Sequence, residues 1–167
     1  MKVQNIKIIK WAFYAFLLLG FCLVQFTPDV MDLLGIKPVL IVPLVVIVAA
    51  FREELGSVIF AAVAGLIWDT YTSTPFGFNA FILAVFAAVV SLLVLYLVRN
   101  NLLNVLTMVL GAMILYELLR WLFFVVIFDS ANAVQSLLGH TLPTVVYTMA
   151  VSPFLYLLVA KAEREIG

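Results

Sequence analysis

The chain has 167 residues, of which 66% are hydrophobic and 11% are charged. Soluble domains are about half apolar and about a quarter charged, so this composition excludes an ordinary soluble fold. The formal net charge is zero, which excludes the strong basic field that nucleic-acid binding uses. A helical span takes about 20 residues, so the length accommodates about six spans. We therefore expect residues 1–167 to form a single multi-pass transmembrane domain.

Six apolar stretches follow one another along the chain. They cover residues 11–26, 38–51, 55–68, 78–98, 102–128 and 142–160. In hydrocarbon, backbone polar groups must be bonded within a helix or a closed barrel, and the alternation typical of barrel strands is absent. The sequence therefore predicts an all-α, polytopic membrane fold with six transmembrane helices.

Two of these stretches, 38–51 and 55–68, are short. Each would form about 21 Å of helix, whereas the hydrocarbon core of a bilayer is about 30 Å thick. Short or interrupted segments mark the binding site of some transporters. We favour the alternative, a compact hairpin packed inside the bundle.

Lysine and arginine are distributed unevenly between the predicted loops. With the N-terminus inside, the outer loops carry only Lys37. The inner ends then carry Lys2, Lys7, Lys10, Arg52, Arg99, Lys161 and Arg164. The positive-inside rule therefore predicts that both termini are cytoplasmic.

The third stretch carries a line of small residues that leads to an acidic residue. Ser57, Ala61 and Gly65 are spaced by four residues, and Asp69 continues the same face. Small residues let neighbouring membrane helices approach closely. We expect a close helix contact at Gly65, with Asp69 directed toward protein or the outer interface.

The segment after Asp69 contains residues typical of a turn. Pro75 and Gly77 predict the turn, and Asn79 is placed to cap or begin the next helix. This pattern fits a capped structural corner, which we favour; the alternative is a docking corner for another protein. A second turn, at Arg52 and Glu53, separates the two short stretches.

Glu117 and Arg120 are charged residues within the fifth stretch. An arginine near the membrane centre costs about 2.5–3.5 kcal/mol on insertion scales, so such residues usually pair or face the bundle interior. We predict that Asp69 contacts Arg120, with Glu117 as a competitor or third member. The alternative is that Arg120 extends to the outer headgroups beside Trp121.

The inventory of reactive residues argues against an enzyme. His140 and Cys22 are the single histidine and cysteine, so neither a multi-histidine nor a multi-cysteine metal site is expected. Motifs of hydrolases, zinc proteases and phosphate-binding loops are absent. We expect no catalytic residue, no cofactor and no metal, and we expect residues 161–165 to form a frayed, solvated helix end.

Several of these residues, taken in order, resemble the bacterial rod shape-determining protein MreD family. The resemblance is carried by Lys37-Pro38, by the Arg52-Glu53 turn, by Gly65-x-x-x-Asp69 and by Pro75-Phe76-Gly77-x-Asn79-Ala80. Val39 departs from the acidic residue that many members have after the proline. The candidates for structural or partner contacts are Arg52, Glu53, Gly65, Asp69, Pro75, Gly77, Asn79, Glu117 and Arg120.

The resemblance implies a non-catalytic scaffold subunit of the complex that elongates the bacterial cell wall. The implied partner is MreC, within an assembly that includes MreB, RodA and a class B penicillin-binding protein. The implied location is the bacterial cytoplasmic membrane, in contact with its lipids.

The family's fold is similar to the substrate-binding subunits of energy-coupling-factor vitamin transporters, which supplies an alternative function. Those subunits usually carry an Ala-x-x-x-Ala face in their first helix. Here Ala12 and Ala15 are three residues apart, and Phe16 occupies the position of the second alanine. We therefore favour the scaffold function over vitamin binding.

Overall fold

The fold is a bundle of α-helices, seen in a computed structural model that describes residues 2–27, 38–72, 75–98, 100–126 and 142–166. Within these ranges there are six α-helices and no strand. They are α1 (Lys2–Phe26), α2 (Ile41–Phe51), α3 (Glu54–Asp69), α4 (Phe78–Tyr96), α5 (Leu102–Arg120) and α6 (Leu142–Ile166). A π-helical segment, Trp121–Val126, continues α5. The predicted all-α fold is confirmed.

Four of the described helices are long and apolar enough to cross a membrane. The segments that meet this criterion are Ile8–Phe26, Phe78–Tyr96, Leu102–Phe123 and Leu142–Glu165. The helix α2 is apolar but has only 11 residues, and α3 has 16. The two predicted short segments are therefore short helices, and the chain is a multi-pass membrane protein.

The short helix α2 lies at the centre of the bundle. Its residues from Ile41 to Ala50 are all buried, and it packs against all five other helices. A helix that is apolar on every side lies either inside a protein or against lipid, and the burial of α2 shows that it lies inside. The expectation of a segment packed inside the bundle is confirmed for α2.

The helix α3 lies at the edge of the bundle rather than inside it. A stripe formed by Leu55, Ile59, Val63 and Leu66 is exposed, while the opposite face packs closely on α4. The predicted internal hairpin is thus wrong for this half. The reason is that the small residues line only one face of α3, and large aliphatic residues occupy the other.

Side chains from neighbouring helices cap the N-terminal end of α2. Gln25 Oε1 accepts hydrogen bonds from the backbone N–H groups of Leu40 (2.9 Å) and Ile41 (3.3 Å). Thr148 Oγ1 accepts one from the N–H of Val39 (2.9 Å). The first N–H groups of a helix have no partner within the helix and must find one elsewhere. Here α1 and α6 supply the acceptors.

The C-terminal end of α2 is capped in the same way. Ser91 Oγ donates to the Ala49 carbonyl at 3.1 Å, and Asn100 Nδ2 donates to the Ala50 carbonyl at 2.9 Å. Ser91 also shares a 2.8 Å hydrogen bond with Ser57. Both ends of the central helix are therefore held by side chains that belong to other elements.

Candidate functional site at the corner between α3 and α4

The corner begins with a direct backbone contact at Gly65. A Cβ atom added to Gly65 would lie 2.3 Å from Ala80 Cα, 2.4 Å from Ala80 N and 2.7 Å from the Asn79 carbonyl carbon. No side chain fits at these distances, and the obstructing atoms belong to the backbone of α4. The close approach predicted from the small residues of α3 is present, and it requires glycine.

Asp69, the last residue of α3, caps the first turn of α4. Its Oδ2 accepts hydrogen bonds from the N–H groups of Gly77 (2.9 Å) and Ala80 (3.4 Å). Its Oδ1 accepts one from the N–H of Asn79 at 3.1 Å. The carboxylate is only 5% exposed. The carboxylate accepts hydrogen bonds from N–H groups that have no acceptor within α4. Its negative charge also interacts favourably with the positive end of the helix dipole.

The turn before α4 explains why the cap comes from another helix. Gly77 occupies the N-cap position with a φ of 95°, and no side chain caps the helix from that position. This left-handed conformation suits glycine because glycine has no Cβ. The Phe78 N–H donates to the Pro75 carbonyl at 3.0 Å, closing the predicted turn. Glycine has no side chain to act as a cap, so Asp69 provides the acceptor.

Asn79 connects this corner to α5. It lies in the first turn of α4 and is fully buried, at 0% exposure. The Tyr116 hydroxyl donates to Asn79 Oδ1 at 2.9 Å. The Tyr116 ring also stacks on Trp68, with the ring centroids 5.1 Å apart. Asn79 neither caps nor begins the helix, because Gly77 holds the N-cap position and Phe78 is the first helical residue; the Asn79 side chain instead joins α4 to α5.

Trp68 and Tyr116 are the members of this site that the sequence interpretation missed. Both are buried, with exposed fractions of 5% and 2%. An aromatic residue in a membrane helix fits a lipid-facing position as well as a buried one. In the sequence, the position of Tyr116 next to Glu117 is the one feature that indicates a place inside the bundle for Tyr116.

Glu117 and Arg120 form an ion pair within α5. Arg120 donates to Glu117 Oε2 through Nε (3.1 Å) and Nη2 (2.8 Å). The Glu117 side chain is 2% exposed, whereas that of Arg120 is 36% exposed. The predicted pairing of Asp69 with Arg120 is replaced by this contact with the competitor, Glu117. Residues three apart on a helix reach each other readily, and the Asp69 carboxylate is engaged by backbone N–H groups.

The other two candidates, Arg52 and Glu53, lie at the opposite end of α3. Glu53 holds the N-cap position of α3, and its carbonyl accepts a 3.0 Å hydrogen bond from the Ser57 N–H. The structure therefore divides the predicted site residues between two ends of the bundle. One group surrounds Asp69, and the other lies at the turn between α2 and α3.

Arg52 belongs to a charged and aromatic group, which we call the Glu163 cluster. Glu163 accepts from Lys10 Nζ at 2.7 Å and from the Tyr14 hydroxyl. Arg52 Nη2 lies 3.0 Å from Glu163 Oε1. The Arg52 guanidinium also lies over the rings of Trp11 and Tyr14, 5.6 Å and 5.1 Å from their centroids, within the range of cation–π attraction.

The Glu163 cluster corrects the expectation for residues 161–165. The helix α6 continues to Ile166, and the Glu163 side chain is only 16% exposed. Ala162 is buried as well. The expected frayed end is wrong because Glu163 accepts hydrogen bonds from Lys10 and Tyr14 on α1 and forms an ion pair with Arg52 at the turn between α2 and α3. The exposed pair is Lys161 with Glu165, at 3.7 Å.

The potential metal ligands of the described residues do not form a cluster. Within the described ranges, no group of three or more histidine, cysteine, aspartate or glutamate residues is arranged to hold a metal ion. Cys22 is buried in α1. His140 lies outside the described residues.

Comparison with known proteins bears on the identity of this bundle. The family model described as rod shape-determining protein MreD matches residues 5–165. Searches of curated proteins and of solved structures gave no match, so the likeness to vitamin-transporter subunits stays a prediction. The family match extends from α1 to the end of α6 and includes both the Asp69 corner and the Glu163 cluster. The chain therefore belongs to the MreD family of rod shape-determining membrane proteins.

Proposed function

We propose that this protein is a non-catalytic scaffold subunit of the bacterial cell-wall elongation complex, where it binds MreC and helps to maintain cell shape. The observation that carries the proposal is the family match over residues 5–165. The wider assembly would contain MreB, RodA and a class B penicillin-binding protein.

The roles of the buried polar groups support a scaffold. Asp69 caps a helix, Glu117 pairs with Arg120, and Glu163 accepts hydrogen bonds from Lys10 and Tyr14 and forms an ion pair with Arg52. Each of these carboxylates is engaged by the protein itself. A bundle held together in this way is suited to presenting its helix faces to a partner.

Two short connections support contact within the membrane. Only Arg52 and Glu53 separate α2 from α3, and residues 97–101 connect α4 to α5. Turns of this size reach only a short distance from the bundle. We infer that MreC contacts the helix faces of this protein more than its loops.

The proposed location is the cytoplasmic membrane, with both termini in the cytoplasm. Lys10 and Arg52 meet at one end of the bundle, as expected if the basic residues share a side. Cysteines placed singly at positions 70–73 in a Cys22→Ala background test this orientation. We expect an impermeant maleimide to label them from outside the cell. Labelling only after the membrane is permeabilised would reverse the orientation.

Co-purification tests the scaffold function. The tagged chain would be expressed with the MreC-like protein of the same organism and extracted from membranes in mild detergent. We expect a stoichiometric complex that survives size-exclusion chromatography. If no complex forms and the isolated protein retains a vitamin, the transporter-subunit alternative replaces the scaffold proposal.

A further inference from the structure

A groove between α1 and α3 opens onto the side of the bundle. It encloses about 370 Å³. Its walls are apolar or glycine, with Trp11, Ala15 and Leu18 from α1, and Gly56, Ile59 and Val63 from α3. Ile59 and Val63 are 57% and 46% exposed. In a membrane protein, such exposed aliphatic side chains face the lipid chains or a partner.

The Glu163 cluster lies at one end of this groove, because Trp11 belongs to both. Its ring forms part of the groove wall and lies so close to Gly56 that an added Cβ would be 2.5 Å from it. The same ring lies beneath the Arg52 guanidinium, 5.6 Å from the ring centroid. The apolar groove therefore leads directly to the charged cluster.

The Glu163 cluster carries excess positive charge. Lys10 and Arg52 each bring one positive charge, and Glu163 brings one negative charge, so the three groups sum to one net positive charge. Arg52 Nε is also buried and has no hydrogen-bond acceptor in the described part of the chain. Buried donors are nearly always bonded, and one that is left over calls for an acceptor.

We propose that this groove binds an anionic phospholipid. One acyl chain lies between α1 and α3, and the phosphodiester lies against Lys10 and Arg52. The choice of a lipid follows from continuity between an apolar groove that faces the bilayer and a cationic group at its end. Basic pockets between membrane helices recognise anionic headgroups in this way. The bound lipid would add a link between α1 and α3, which also meet where Phe60 contacts Trp11 and Tyr14.

Native mass spectrometry of the full-length protein in detergent tests the proposal. Phosphatidylglycerol and phosphatidylcholine with identical chains would be added together, and the lipid retained by each protein molecule would be counted. We expect one phosphatidylglycerol to be retained in preference to phosphatidylcholine. Equal retention of the two lipids would overturn the proposal, and so would displacement of phosphatidylglycerol by excess inorganic phosphate.

Two matched pairs of variants separate the headgroup site from the groove. Lys10→Gln should lower the preference for phosphatidylglycerol about fivefold, whereas Lys161→Gln, at a side chain 76% exposed, should not change it. Val63→Trp should fill the groove and reduce retention of the lipid. Val146 is also exposed but lies on α6, so Val146→Trp should leave lipid retention unchanged.

The same variants distinguish a bound lipid from a protein partner in the groove. Val63 lies on an exposed face, so Val63→Trp is expected to fold, and thermal unfolding in lipid-free detergent checks this. If Lys10→Gln and Lys161→Gln retain lipid alike, the proposal is wrong. It is wrong also if Val63→Trp removes the MreC-like partner while lipid retention stays the same, because the groove would then be a protein interface. Failure of co-purification with every variant and the parent chain would count against the scaffold function alone.

Discussion

At the residue scale, Asp69 supplies the capping acceptor that the N-cap residue of a helix usually supplies. The N-cap of α4 is Gly77, which has no side chain, and three N–H groups at this end bond to a carboxylate from α3. In water these donors could bond to solvent. Here Asn79 and Ala80 are buried within the bundle, so their N–H groups need an acceptor from the protein and the corner depends on this one side chain.

Asp69→Asn should loosen the corner without changing its shape. The amide keeps one acceptor oxygen but loses the charge, so we expect a loss of about 1–2 kcal/mol in the free energy of unfolding. Hydrogen–deuterium exchange should show faster exchange at the Gly77, Asn79 and Ala80 amides. Glu165→Gln, at an exposed carboxylate, is the control. Unchanged protection at these three amides would show that the charge of Asp69 does not stabilise the cap.

Gly65 is the second residue on which the corner depends. Gly65→Ala places a methyl group 2.3 Å from Ala80 Cα, so α3 and α4 must separate. Overpacking of this kind costs about 1–3 kcal/mol. Gly111→Ala is the matched control, because nothing lies within 4 Å of a Cβ added to Gly111. Thermal unfolding in detergent should show a lower midpoint for Gly65→Ala only. Equal midpoints for the two variants would contradict the close approach.

At the element scale, the central feature is a helix too short to cross the membrane. The 11 residues of α2 span about 16 Å at about 1.5 Å per residue, against about 30 Å of hydrocarbon. At least one end must therefore lie at a depth where water is scarce. The caps from Gln25 and Thr148 at one end, and from Ser91 and Asn100 at the other, meet this requirement.

Removal of packing volume from α2 should be more harmful than the same change on a lipid-facing helix surface. Ile47 is fully buried, at 0% exposure, whereas Ile114 on α5 is 53% exposed. Ile47→Ala should cost about 2–5 kcal/mol, because it leaves a cavity that the surrounding helices cannot fill. Ile114→Ala leaves space that lipid can fill. Equal loss of unfolding free energy in the two variants would show that α2 does not lie inside the bundle.

At the scale of the whole molecule, Glu163 joins the first helix to the last. Its carboxylate interacts with Lys10 and Tyr14 on α1 and with Arg52 at the turn between α2 and α3. These contacts close the bundle at one end. At the other end of α3, Asp69 joins α3 to α4. The hydrogen bond between Asn79 and Tyr116 joins α4 to α5.

Glu163→Gln should weaken this closure. The amide removes the negative charge shared by two cations, and hydrogen bonds to charged groups contribute about 1.5–3 kcal/mol each. We expect a lower unfolding midpoint in detergent than for the parent chain. Glu165→Gln changes a neighbouring exposed carboxylate and should have little effect. The same midpoint for both variants would mean that the Glu163 cluster contributes nothing to stability.

The amino-acid sequence by itself determined the class of protein and several local features. Composition and the long apolar stretches predicted an all-α membrane protein, because hydrocarbon permits few other backbone arrangements. The spacing of small residues located the contact at Gly65, and Pro75 with Gly77 located the turn. These features depend on residues close together in the chain, so local chemistry is sufficient to predict them.

The tertiary structure decided which distant side chains meet. Asp69 caps α4 instead of pairing with Arg120, Glu163 anchors α6 instead of fraying, and α2 lies at the centre while α3 lies at the edge. Tyr116 reaches Asn79 across 37 positions of the chain. The physical reason is that apolar residues lie on every side of these membrane helices, so the hydrophobic pattern does not specify which faces pack together. Backbone contacts at glycine and the partners of a few buried polar groups select the arrangement, and both are properties of the folded bundle.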